Sequence, residues 1–129
     1  MQLVAEQFVA LSLLIVGLSH LLHPALWVRL HADLFRQPYA ALVIGTLTLP
    51  VGLFIVSAHN VWTFGLPLVV TLFGWACTVK GAAYLLRPRV PVPFTADSRW
   101  ARRGFVTVGA GAALVGAVLT WHAFVPGAV

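Results

Sequence analysis

The chain has 129 residues, 60% of them hydrophobic and 9% charged, with a formal net charge of +5. Soluble domains carry about 25% charged residues, and a soluble fold of this length has too little interior for so much apolar side chain. The composition excludes an ordinary soluble domain and points to an all-α integral membrane protein, a single transmembrane domain over residues 1–129.

In chain order, four apolar stretches cover roughly 3–22, 39–58, 66–86 and 104–124. Each is about 20 residues long, the length a helix needs to cross a hydrocarbon core of about 30 Å. They predict a membrane four-helix bundle. The first stretch has no basic residue ahead of it and no small-residue cleavage site behind it, so it reads as a retained span rather than a signal peptide. Pro24 and Pro38 bound the first loop. Within it Leu26, Trp27, Leu30 and Leu34 share one helical face, while Arg29, Asp33 and Arg36 share another at ion-pair spacing. That pattern predicts a short amphipathic helix lying in the membrane interface. A short loop at 59–65 joins the second and third spans. After the third, PRVPVP at 88–93 is broken by prolines and is expected to run extended. Asp97 or Ser98 is then placed to cap the fourth span. Trp27 and Trp100 mark one interface and Trp62 and Trp121 the other, whereas Trp75 falls mid-span and fits neither belt. The lone Cys77, also mid-span, makes no intrachain disulfide.

The basic residues lie almost entirely in two loops. Arg29 and Arg36 follow the first span; Arg87, Arg89, Arg99, Arg102 and Arg103 follow the third. The tails and the 59–65 loop carry neither Lys nor Arg. Positive charge is retained on the cytoplasmic side, so both basic loops are expected there and both termini outside. These arginines suit anionic lipid headgroups rather than nucleic acid.

GLSHLLHP (17–24) superposes on GAAYLLRP (81–88) at an offset of 64 residues, and the same offset places Gly45 on Gly109 and Gly52 on Gly116. This reads as a tandem repeat of a two-helix hairpin, 1–64 and 65–129, whose halves would be related by a pseudo-two-fold axis along the membrane normal. Small residues recur at i, i+3, i+4, i+7 in three spans: Gly45, Thr48, Leu49 and Gly52; Gly74, Cys77, Thr78 and Gly81; Gly109, Ala112, Ala113 and Gly116. In lipid, helices associate by close packing, so these strips are expected to be helix–helix contact faces.

Few polar residues could carry chemistry. Glu6, His59, Asn60 and His122 all fall at span ends on the outer side, where a carboxylate beside an imidazole could relay protons or hold an ion. His59 and His122 could also serve as paired haem ligands. Lys80 lies six residues inside the third span, suited to snorkelling, to an ion pair such as with Asp33, or to a transport path. His20 and His23 are spaced to bridge a metal, and His31 lies on the same side, but no cysteine or carboxylate beyond Asp33 completes a ligand set, so no metal and no cofactor is expected. The sequence holds no nucleophile–base–orienter set, no phosphate loop and only three acids, which argues against an enzyme.

The segment 58–88 is similar to a family of short four-helix bacterial membrane proteins of uncharacterised activity. The resemblance rests on His59-Asn60-Val61-Trp62, on Gly74-Trp75 followed by Lys80-Gly81, and on Leu85-Leu86-Arg87-Pro88. It implies a bacterial inner-membrane location and no particular activity. Where that family usually has an acid after the proline, this chain has Arg89, which leaves Lys80 without that local partner.

Three functions follow from these residues. The leading one is a structural or auxiliary membrane subunit, homo-oligomeric or part of a larger complex. The second is an oligomeric channel or transporter for protons or a small ion, using His59, Asn60 and Lys80. The third is a haem-holding subunit. The orientation is open to a direct check: a reporter active only in the cytoplasm is expected to be silent when fused after Val129 and active when fused after Arg89, and the reverse pattern would invert the topology.

Overall fold

Four helices of this protein are long and apolar enough to cross a membrane. The computed structural model describes residues 1–89, 91, 93–125 and 127. Among them it shows five helices and no strand: α1 (Gln2–Leu22), α2 (Pro24–Leu34), α3 (Ala40–Ala58), α4 (Leu66–Leu86) and α5 (Arg99–Phe124). Large apolar side chains point outward on every long helix; Ile15, Leu47, Val79 and Leu114 are each more than six-tenths exposed. Water would penalise that surface, whereas lipid would not.

Local chemistry sets the helix ends. α5 starts five residues ahead of the apolar stretch read from the sequence, because the Ser98 hydroxyl accepts the Ala101 N–H at 3.4 Å. The cap, not apolarity, fixes the start, and Ser98 rather than Asp97 provides it. α4 begins after Gly65, whose φ of 123° is open to glycine and strained for other residues, with Pro67 in the first turn. The extended course expected for 88–93 falls partly on residues 90 and 92, which lie outside the described residues.

α2 forms where the amphipathic pattern placed a helix. Val28 and Ala32 are buried, while Leu26 and Leu30 are exposed. α2 packs on α5, and the compact side chains at 28 and 32 permit the close approach that leucines would block.

The chain divides into two compact units, one of residues 1–6 and 35–91 and the other of 7–34 and 92–129. In the first, α3 and α4 run antiparallel along a seam of near backbone contact. A methyl added at Gly81 would lie 2.6 Å from the Leu49 nitrogen, one at Gly74 would lie 2.6 Å from Ile55 Cγ2, and one at Gly52 would strike the Cys77–Thr78 backbone. Gly45 faces the Gly81 carbonyl and Tyr84. In the second unit, α1 and α5 form a seam of the same kind. Gly116 abuts the Leu13–Leu14 backbone, Gly17 abuts Ala113, and Gly109 faces the Gly17 carbonyl and His20 Cβ. At Gly45, Gly52, Gly74, Gly81, Gly109 and Gly116 alike, an added methyl would come within 3.0 Å of an atom on a neighbouring helix.

Three of these contacts correspond at the 64-residue offset. Gly81 with Leu49 matches Gly17 with Ala113, Gly45 with Gly81 and Tyr84 matches Gly109 with Gly17 and His20, and Gly52 with Cys77–Thr78 matches Gly116 with Leu13–Leu14. Each seam joins one helix from residues 1–64 to one from 65–129, so the packed pairs are not the sequence halves themselves.

Overpacking a close-packed seam costs about 1–3 kcal/mol. Gly52→Val and Gly116→Val are each expected to lower the melting temperature in detergent. Gly111, where an added methyl meets nothing within 4 Å, is a control; Gly111→Ala is expected to raise stability by about 0.5–1 kcal/mol through helix propensity alone.

Candidate functional site

The polar end of the first unit is built from three helices. Glu6 lies in the second turn of α1, His59 is the C-cap of α3, and Thr71 sits in the second turn of α4. The His59 backbone N–H donates to the Ile55 carbonyl at 2.7 Å, closing the last turn of α3, and the residue's extended backbone then turns the chain away. Its side chain is fully buried. His59 Nδ1 lies 3.2 Å from Thr71 Oγ1, and Nε2 lies 3.0 Å from Glu6 Oε1. Glu6 keeps a third of its side chain exposed.

The hydrogen bonds around Thr71 assign the roles of the ring nitrogens. The Thr71 hydroxyl donates to the Val61 carbonyl at 2.8 Å and accepts the Val61 N–H at 3.0 Å. With its only hydrogen committed, Oγ1 has one lone pair left, so Nδ1 must be the donor in the His59 contact. Nε2 is then the ring nitrogen that faces the Glu6 carboxyl, joining a fully buried imidazole to a partly exposed carboxyl group.

The remaining expected site residues lie elsewhere. Asn60 is exposed, and its Oδ1 accepts from Trp62 Nε1 at 2.9 Å and Trp75 Nε1 at 3.3 Å. This gives Trp75 a polar partner that no interfacial belt supplied. Lys80 is nine residues beyond Thr71 on α4, or about 14 Å along the helix. It is exposed, with Nζ 5.6 Å from the Tyr84 ring centroid. His122 is exposed and belongs to the second unit. Both ring nitrogens of His59 are engaged, so ligating iron would require breaking one of its hydrogen bonds.

On the basic side, His20 Nδ1 donates to the Val16 carbonyl at 2.7 Å and His31 Nδ1 to the Trp27 carbonyl at 3.0 Å. The His20 ring stacks on Trp27, centroids 4.0 Å apart, and the Trp27 indole N–H donates to Ser19 Oγ. His23 is exposed. Among the described residues, no three His, Cys, Asp or Glu side chains converge on a metal position.

Thr71 is the site residue that sequence reasoning missed. It lies three residues before Gly74 on the small-residue strip Gly74, Cys77, Thr78, Gly81, so extending that strip by one step would have placed it on the face toward α3. Compared with known proteins, this four-span helical chain matches no family model, no curated protein and no solved structure.

Thr71→Val keeps the side-chain shape and removes three hydrogen bonds at once, leaving Val61 and Nδ1 unsatisfied. An orphaned buried polar group costs about 1–3 kcal/mol, so the variant is expected to melt well below the wild type in detergent. Thr71→Ser is expected to melt close to it.

Proposed function

We propose that this chain is a small multi-pass protein of the bacterial inner membrane that handles protons through the Glu6–His59 pair. The observation that carries this reading is the 3.0 Å contact between a partly exposed carboxyl group and a fully buried imidazole. Glu6 meets the outside, His59 passes the contact inward, and Thr71 holds the ring in one tautomer. Four short spans hardly enclose a path alone, so the working form is an oligomer. Proton flux into vesicles carrying the reconstituted protein and an internal pH dye is the test. Wild type is expected to dissipate an imposed gradient, Glu6→Gln and His59→Gln to fall to the rate of empty vesicles, and exposed Lys80→Met to keep the wild-type rate. Absence of wild-type flux under every gradient would end this reading.

A second reading, a structural or auxiliary subunit rather than an enzyme, is favoured by the two glycine seams and by the exposed apolar surface of every long helix. It predicts a defined homo-oligomer or co-purifying partners in mild detergent. An oligomer without flux would select it, and a strict monomer would exclude both readings.

We also infer that the chain is a tandem duplication of a two-helix unit, 1–64 and 65–129. The matched glycine contacts at the 64-residue offset support this. An interfacial position for α2 is supported by its exposed Leu26 and Leu30, and a cytoplasmic position for the arginine-bearing loops by their charge.

A further inference from the structure

Two neighbouring hollows lie at the start of α5, both within the unit of residues 7–34 and 92–129. One is bounded by Ser98, Arg99 and Arg103. The other, about 210 Å³, is walled by Gly104, Phe105 and Val108 with the His20 ring. Phe94 and Trp100 line both, meeting edge to face with centroids 5.8 Å apart. The first hollow is half polar and carries both arginines; the second is almost wholly carbon.

The sequence puts these hollows where α5 changes character. Arg99 and Arg103 are one helical turn apart on the same face, and the apolar span begins at Gly104. Both arginines are exposed, and among the described residues neither meets a carboxylate. Asp97, the nearest acid in sequence, lines neither hollow. Gly104 lines the apolar hollow without a side chain of its own, and a methyl there would meet nothing within 4 Å. A forked guanidinium pair matches a phosphate diester. An aromatic-walled apolar channel beside it matches a hydrocarbon chain. A free phosphate would use only the first hollow and an uncharged apolar molecule only the second.

We propose that the two hollows together bind one anionic phospholipid, its phosphate on Arg99 and Arg103 and the upper part of an acyl chain against Phe94, Trp100 and Gly104. The polarity order of the site, cationic then aromatic then apolar, is that of the lipid itself. This is a built site for one molecule, distinct from the diffuse attraction of basic loops to a charged surface.

The test is native mass spectrometry of the full chain in mild detergent, titrated with phosphatidylglycerol or with phosphatidylcholine of identical acyl chains. Wild type is expected to retain phosphatidylglycerol preferentially. Arg99→Gln and Arg103→Gln are each expected to weaken retention roughly fivefold, the effect of one basic residue at an anionic surface. Arg102→Gln, on the same turn but outside both hollows, is expected to retain the lipid as wild type does. Gly104→Leu fills the apolar hollow and is expected to weaken retention with all arginines intact; Trp100→Ala, which removes a wall, is expected to do the same and serves if the leucine variant does not fold. Equal retention of both lipids, an Arg102→Gln loss as large as that of Arg99→Gln, or no effect from Gly104→Leu and Trp100→Ala would overturn the proposal. Displacement of phosphatidylglycerol by millimolar inorganic phosphate would also overturn it, by showing a simple anion site.

Discussion

Close approach of backbones across glycine is the constraint on which this structure depends. Between lipid-immersed helices the hydrophobic effect gives no reason to associate, because a leucine is as comfortable against an acyl chain as against another leucine. What remains is dispersion, which falls away within an ångström of optimal contact. Gly52 against Cys77–Thr78 and Gly116 against Leu13–Leu14 bring main chains as near as they can come. The outer faces are released from any packing duty and can be generically apolar, as Ile15, Leu47 and Leu114 are.

That constraint also positions the polar cluster. His59 and Thr71 sit just beyond the last glycine contact of the α3–α4 seam, Gly74 with Ile55, so the distance between ring and hydroxyl is set by backbone packing rather than by the side chains themselves. The corresponding end of the other seam carries different residues. At the 64-residue offset Thr71 falls on Gln7 and His59 on Ala123, and there Gln7 Nε2 simply donates to the Ala123 carbonyl at 3.4 Å. Two equivalent frameworks thus carry unequal chemistry: one holds a titratable pair, the other a neutral amide contact.

The spans, the packing glycines and the Ser98 cap were legible in the sequence because each follows from a local rule: apolar length, small-residue spacing, a hydroxyl before a helix. Glu6 and His59 were recognisable as candidates from their place at span ends. Their meeting was not, because 53 residues separate them and only tertiary packing of residues 1–6 against the end of α3 brings them together. Lys80 attracted attention for its cost inside a span, yet it resolves as an exposed chain beside Tyr84. Thr71 went unnoticed because threonine is unremarkable in a membrane helix, where its hydroxyl usually bonds back to its own turn, as Thr78 and Thr120 do. Amphipathic periodicity located α2, whereas the compact side chains it buries, Val28 and Ala32, follow from its packing on α5.

A seam made of main chain has no tolerance for sliding. The next setting that would again place glycine opposite backbone lies about a full turn away, near 5.4 Å, and every position between drives a side chain into a carbonyl or an amide. α3 and α4 therefore behave as a keyed joint with one seat. Whatever moves at the His59 end must do so without axial travel of these helices: a spin of the Thr71 hydroxyl or a rotamer change at Glu6. Those are fast, small-amplitude events, and they set the timescale on which this end of the molecule can change state.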